Sequence, residues 1–196
     1  VLDAFAGTGL VGLRAATLGA RVPLAAISPG MLAIAARRAQ RRKLRVDRIT
    51  VDLTHADVSV PGAPFDAITM VFGVRYLDDP SAVIRRLSAL LSNDGWFVIM
   101  DFVEPGGSLL SRLAAFYFFR VLPRIAGTLA GRSDLYERLV TTTHAIRGRE
   151  QLEQIVRDAG LSVCTTRVMG FGLVVGIVGT IPEGTIGLPR TEAQQR

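Results

Sequence analysis

The 196-residue sequence contains one cysteine, Cys164, and two histidines, His55 and His144. A single thiol excludes a disulfide framework within the chain and any cysteine-built zinc site. With two imidazoles, a metal centre would have to lean on carboxylates, and none is expected. Lysine is almost missing: Lys43 is the only one, so 22 of the 23 basic residues are arginine. That skew reads more readily as coding bias than as function. Long apolar runs are missing as well. Residues 173–178 are interrupted by Gly176 and fall far short of the roughly 20 residues of a bilayer-crossing helix. No signal-peptide pattern is found, and a soluble cytoplasmic protein is the expectation.

The rest of the composition is that of a globular chain, with 49% hydrophobic and 20% charged residues and a formal net charge of +6. The length fits one domain able to hide roughly 70% of its unfolded surface. The positive balance is compatible with an anionic membrane surface or a nucleic acid and requires neither. The chain opens on a strand-like run with no initiator methionine, so a preceding N-terminal segment is expected in the full protein.

Short apolar runs alternate with helical patterns, the signature of βαβ units and a parallel sheet. Strands are expected at about 1–5, 21–27, 48–54, 65–72, 96–102, 161–168 and 173–179. Helices are expected at about 10–18, 29–42, 80–91 and 149–159. Ser28-Pro29 and Asp79-Pro80 read as N-cap and first helical position, and Asn93-Asp94-Gly95 as a turn. After Pro105 the rhythm breaks. Residues 106–147 read as a helical insertion of lid or substrate type, rich in aromatics at Phe116, Tyr117, Phe118 and Phe119. Residues 182–196 read as a frayed polar tail. The fold class is therefore α/β, a three-layer doubly wound sheet, with residues 1–181 as one domain.

The run Asp3-Ala4-Phe5-Ala6-Gly7-Thr8-Gly9 joins the first strand to the first helix. Such a turn points backbone N–H groups at a helix start and suits an anionic group. By itself it fits a dinucleotide site (Gly12 supplies a third glycine) or only a tight strand–helix connection. Asp3 can fix the glycine loop and face a ligand's ammonium group. Asp57, at the end of the third strand, can accept from an adenine amino group. In a doubly wound sheet these strand ends meet at one crevice.

Val-Leu-Asp-x-x-x-Gly-Thr-Gly, then Ile27-Ser28-Pro29-Gly30-Met31-Leu32-Ala33-Ile34-Ala35, then Phe65-Asp66 and a glycine turn after the fifth strand together resemble a class I S-adenosylmethionine-dependent methyltransferase. Phe72-Gly73-Val74-Arg75, Asp101-Phe102-x-x-Pro105, Val121-Leu122-Pro123-Arg124-Ile125-Ala126-Gly127 and the segment 136–139 are similar to the ubiquinone/menaquinone biosynthesis C-methyltransferase family, over roughly residues 1–180. The resemblance implies a seven-stranded Rossmann-like sheet, mostly parallel with an antiparallel last strand. It implies S-adenosylmethionine as cofactor, held by Asp3, Ala4, Gly7, Thr8 and Gly9 at its methionine end. Ala26, Ile27, Met31, Asp57 and Val58 would flank the nucleoside, and Val71 and Phe72 the sulfonium. Two departures stand out. Phe5 replaces the first motif glycine, and Ala26 replaces the acid that grips the ribose hydroxyls, where two bonds to a charged acceptor would be worth about 1.5–3 kcal/mol each.

The implied acceptor is a small-molecule or lipid-quinone substrate, methylated on carbon. Phenol deprotonation raises ring nucleophilicity and calls for a base or a phenolate-stabilising group. Arg75 is the candidate for stabilising the phenolate and Asp101, with Glu104, for the base. The bland alternatives are a surface arginine and loop-capping carboxylates. Tyr76 stands where the family pattern has Asn. His144 falls two positions before the family's histidine, and His55 reads as a strand residue. The aromatics and arginines of 109–129 read either as a helix packed on the sheet or as a greasy lid at a membrane surface. The cluster Arg37, Arg38, Arg41, Arg42, Lys43, Arg45 and Arg48 reads most simply as a solvated face. No nucleic-acid partner is expected, because the fourth strand is not followed by the Asn/Asp-Pro-Pro-Tyr/Phe motif of base-modifying enzymes. The rival readings are another methyl acceptor, and a methyltransferase-like binding protein deprived of its cofactor.

Overall fold

The computed structural model describes residues 1–56, 58–104, 109–117 and 146–182. The alternation of the sequence becomes β1 Leu2–Ala4, α1 Leu10–Thr17, β2 Pro23–Ala26, α2 Pro29–Arg41, β3 Asp47–Thr50, β4 Phe65–Val71, α3 Pro80–Ser88 and β5 Leu91–Phe102. After α4 (Leu109–Phe116) the described chain resumes with α5 Gly148–Asp158, β6 Ser162–Met169 and β7 Val174–Thr180. Both predicted caps form. Ser28 Oγ accepts from the Met31 N–H at 3.3 Å and Asp79 Oδ1 from the Ala82 N–H at 2.9 Å, each ahead of a proline that needs no partner for its nitrogen.

The seven strands run in the order β3-β2-β1-β4-β5-β7-β6. The first five pair in parallel, while β7 is antiparallel to both β5 and β6. The order reverses between β1 and β4, and at that switch point the loops after the two strands diverge and leave a crevice. The sheet separates two cores. Leu2 and Ala4 of β1, Ile68 and Met70 of β4 and Phe97 and Ile99 of β5 pack with Ile84 and Leu87 of α3 and Leu152 and Val156 of α5. On the other face Val22, Leu24 and Ala26 pack with Leu32 and Ala35 of α2.

Strand alternation places one carboxylate on each face. Asp101 continues the buried row Phe97, Ile99 on the larger face. Asp3 points the opposite way from Leu2 and Ala4, with Leu24 and Thr69 as its cross-strand neighbours. Both acids are buried near the carboxyl end of the sheet.

Three sequence expectations are corrected. The 93–95 segment is not a turn ahead of a strand but a bulge inside β5, because Phe65 pairs with Leu91 and Ala67 already with Trp96. A Cβ on Gly95 would lie 3.0 Å from the Phe65 carbonyl oxygen, so glycine permits the kink. The third strand stops at Thr50 rather than Thr54. Asp52 Oδ1 takes the Thr54 N–H at 2.9 Å and the Thr54 hydroxyl at 2.6 Å, folding the chain into a turn. His55 consequently lies in that turn and not in a strand, its Nε2 3.5 Å from Asp52 Oδ2. The 121–127 and 136–139 segments, Arg120, His144, Asp57 and the tail 183–196 lie outside the described residues.

Gly12 serves packing. A Cβ there would lie 2.3 Å from Leu24 Cδ2 and 2.8 Å from Asp3 Oδ2, so only glycine lets α1 rest directly on β1 and β2. Gly12→Ala is expected to cost about 1–3 kcal/mol by overpacking. Thermal unfolding should register about 2–4 °C of Tm for each kcal/mol in a chain of this size.

Candidate functional site

The glycine turn leaves β1 through three left-handed residues, Phe5 at φ 58°, Gly7 at 54° and Gly9 at 76°. Its ends are tied by backbone bonds, Ala6 N–H to the Ala25 carbonyl at 2.9 Å and Gly9 N–H to the Ala6 carbonyl at 2.8 Å. Beneath it, Asp3 Oδ2 accepts the Gly12 N–H at 2.8 Å and Oδ1 accepts the Thr69 hydroxyl at 3.0 Å. Burial pushes the Asp3 carboxyl up to about 6, with the Gly12 and Thr69 bonds pulling the other way. Asp3 thus anchors the start of α1 in place.

One face of α2 follows the turn from the side. Met31 Sδ is 3.9 Å from where a Gly7 Cβ would stand, and Ala35 Cβ 2.8 Å from a Gly9 Cβ. Farther along, Arg38 Nη1 donates to Thr8 Oγ1 at 2.6 Å and to the Thr8 carbonyl at 3.1 Å. Among the described residues a Gly7 Cβ would meet only Met31 and the turn's own Phe5 carbonyl, so the turn's upper side is open to a ligand.

Ile27 and Met31 are exposed large apolar side chains at the end of β2 and the start of α2, Ile27 at 67%. Ala26 is buried with Leu24 and Leu32, and its carbonyl accepts the Val51 N–H at 3.1 Å. The strand-end position itself therefore carries no carboxylate. Val58 is half-buried against the larger core. Ala4 is wholly buried, leaving only its backbone for a ligand, and half-buried Val71 ends β4 opposite Met100. Phe72, at φ 58°, follows it and stacks on Phe102 with ring centroids 4.8 Å apart. These residues fit S-adenosylmethionine in two respects: an open glycine turn over a buried acid for its amino-acid end, and an apolar ledge for a purine. They do not supply the ribose acid.

The surface-arginine alternative does not hold for Arg75, whose side chain is 4% exposed. Its Nη1 donates to Asp101 Oδ1 at 3.0 Å and its backbone N–H to Oδ2 at 3.2 Å. Nη2 donates to the Tyr76 hydroxyl at 3.2 Å, so Tyr76 helps hold the guanidinium. The rings of Tyr76, Phe102 and Phe72 surround the guanidinium carbon at 4.9, 5.1 and 5.5 Å. Arg75 Nε is buried without a hydrogen-bond partner among the described residues. Burial pushes the Asp101 carboxyl up, while the Arg75 charge and the Phe102 and Arg75 N–H groups hold it down. Against Arg75 lies a cavity of about 290 Å³, bordered by Arg75, Asp78, Ser81, Ile146 and Gln151 and not by Asp101. Glu104 remains exposed, its backbone N–H bound to the Ile146 carbonyl at 2.8 Å. Among the described residues no cluster of metal-ligating side chains occurs.

Sequence reasoning missed the aromatic box and the Arg38 contact. The Met31, Ala35, Arg38 spacing of i, i+4, i+7 was the available signal for the second.

The model of the ubiE/COQ5 methyltransferase family matches residues 1–180. The chain is 32% identical over 184 residues to a demethylmenaquinone methyltransferase of Thermus thermophilus, covering 93% of this chain and 82% of that one. It is 31% identical over 193 residues to a demethylmenaquinone methyltransferase of Clavibacter sepedonicus, covering 98% and 78%. Among solved structures, a SAM-dependent methyltransferase from Aquifex aeolicus superposes with a TM-score of 0.64 at 15% identity, over 92% of this chain and 81% of that one. The [4+2]-cyclase SpnF superposes at 0.65 and 19% identity, over 92% and 73%. At such identities the two structures speak for the fold alone.

Proposed function

The chain belongs to the ubiE/COQ5 methyltransferase family, and from that premise we propose that it methylates a ring carbon of a quinol precursor, with S-adenosylmethionine as donor. The observation that carries this reading is the caged Arg75 guanidinium, which lies at the carboxyl edge of the sheet that also bears the glycine turn.

Bound S-adenosylmethionine supplies an electrophilic methyl group on a sulfonium. Asp3, Ala4, Gly7, Thr8 and Gly9 are assigned to its amino-acid end. Ile27, Met31, Asp57 and Val58 are assigned to the purine, and Val71 and Phe72 to the neighbourhood of the sulfur. Arg75 holds the acceptor's phenol oxygen as phenolate, the phenol proton passing to solvent, and this raises electron density on the ring carbon, whose own C–H proton leaves to solvent once the methyl group is in place. Asp101 and Tyr76 fix the guanidinium plane, so alignment carries most of the rate. The cavity beside Arg75 has room for one bicyclic ring. An isoprenoid tail would leave along α4, whose Leu109, Leu113 and Phe116 form an exposed stripe at i, i+4, i+7 that Tyr117 extends just past the helix. That stripe also supports peripheral contact with a membrane. No helix among the described residues is long and apolar enough to cross one.

The test is incubation with methyl-labelled cofactor and demethylated quinols, with mass spectrometry of the lipid extract. Label on a ring carbon is expected, and its absence from every quinol sinks the reading. Ala26 favours a second reading, a protein of weak cofactor affinity. Ala26→Asp is expected to tighten S-adenosylmethionine binding about tenfold in a calorimetric titration, the worth of one bond to a charged acceptor.

A further inference from the structure

Thr8 sits between Gly7 and Gly9, both left-handed. Glycines give this stretch the widest conformational freedom in the turn. Something must hold its middle if its N–H groups are to be presented to a ligand in one arrangement. The backbone bonds close the turn at Ala6 and Gly9 and leave Thr8 to its side chain and carbonyl. Both of those oxygens are taken by a single group, Arg38 Nη1.

The origin of that contact lies in α2. Met31, Ala35 and Arg38 fall on one helical face and meet Gly7, Gly9 and Thr8 respectively. The first two contacts are apolar and set spacing only. The third is charge-assisted and directional. Arg38 is half-buried, whereas Arg37, Arg41, Arg42, Lys43, Arg45 and Arg48 of the same cluster are exposed. It therefore departs from the solvated face to which the sequence pattern assigns it.

We propose that Arg38 is a positioning residue of the cofactor site, clamping Thr8 so that the glycine turn is preformed for the amino-acid end of S-adenosylmethionine. The inference rests on the cofactor reading above. It adds a residue that touches no ligand and acts through Thr8.

Calorimetric titration of the whole chain with S-adenosylmethionine and S-adenosylhomocysteine, run beside steady-state kinetics, tests it. Arg38→Gln is expected to weaken both ligands about tenfold, since a charge-assisted pair of bonds to the turn is lost. kcat at saturating cofactor should stay within about twofold, because the reacting groups are untouched. Arg38→Lys should recover most of the affinity, as one ammonium can reach both oxygens. Thr8→Val should weaken binding and add little to Arg38→Gln in the double variant. Wild-type affinity in Arg38→Gln overturns the proposal. So does a parallel fall of kcat and of Tm by more than about 6 °C, which marks a helix-packing role. Wild-type protein that binds neither ligand overturns the cofactor reading itself and the proposal with it, a result recognisable before any variant is made.

Discussion

Arg75→Met is expected to reduce kcat for methyl transfer by about 10²–10³-fold, the usual loss when a fixed donor to a developing oxyanion is removed. It should also destabilise the protein, because Asp101 would remain buried without its cation. Breaking one side of a buried pair costs about 3–5 kcal/mol. These two effects are separable. In Arg75→Met/Asp101→Leu no uncompensated charge remains, and apolar replacements of buried pairs are often neutral in stability. The double variant should recover the Tm of the wild type and none of its turnover. Differential scanning calorimetry and a labelled-cofactor assay on both variants provide the check. A double variant as active as wild type would remove Arg75 from the mechanism.

Asp3→Asn is expected to raise stability at neutral pH while weakening the cofactor site. The Asp3 carboxyl titrates at about 6 in the folded chain, against 3.8 for the free side chain, chiefly because it is desolvated. Between those values the folded state binds more protons than the unfolded one, so its stability falls as pH rises. The full effect above pH 6 is about 3 kcal/mol at 1.36 kcal/mol per pKa unit. Asparagine is never charged, and its amide can accept from Gly12 and donate to the Thr69 hydroxyl. The difference in unfolding free energy between Asp3→Asn and wild type should therefore grow from pH 4 to pH 6 and then level off. Asp101 is pushed in the same direction by burial, but it contributes equally to both proteins and cancels in the difference. Calorimetric titration at pH 7.5 should meanwhile show S-adenosylmethionine binding weakened by about an order of magnitude, since a charged acceptor becomes neutral. A pH-independent stability difference would mean that Asp3 titrates alike in the folded and unfolded chains.

Much of this architecture is written locally. Ser28-Pro29 and Asp79-Pro80 start their helices where expected, and the glycine turn lies between β1 and α1. These features depend on neighbours a few residues away, which a linear reading can see. The misread features depend on distant partners. Asn93-Asp94-Gly95 has the chemistry of a turn, yet Phe65 of β4 pairs with Leu91 and draws the segment into β5 as a bulge. The early end of β3 is the exception, a local one: the Asp52 side chain finds Thr54 two residues on, within a run whose strand-like pattern masks the turn. In the site, Arg75 and Asp101 were each legible as chemistry-bearing residues, but their pairing spans 26 positions and needs the β4–β5 register to bring it about. Arg38 was hidden by its surroundings. Amid six other basic residues its charge carries no signal, and its i, i+4, i+7 spacing from Met31 and Ala35 gains meaning only once α2 is seen against the turn.

The arrangement of the last two strands has a consequence for synthesis on the ribosome. Of the described strands β7 is the latest to be made, yet it lies between β5 and β6 and bonds to both. β6 emerges earlier and has no place in the sheet until its successor threads in beside β5. During translation the exposed edge of β5 therefore waits, unpaired, for residues 174–180, and the sheet closes in one late event. A nascent chain halted before that point would present the β5 border to its neighbours, an edge that β7 covers in the finished sheet.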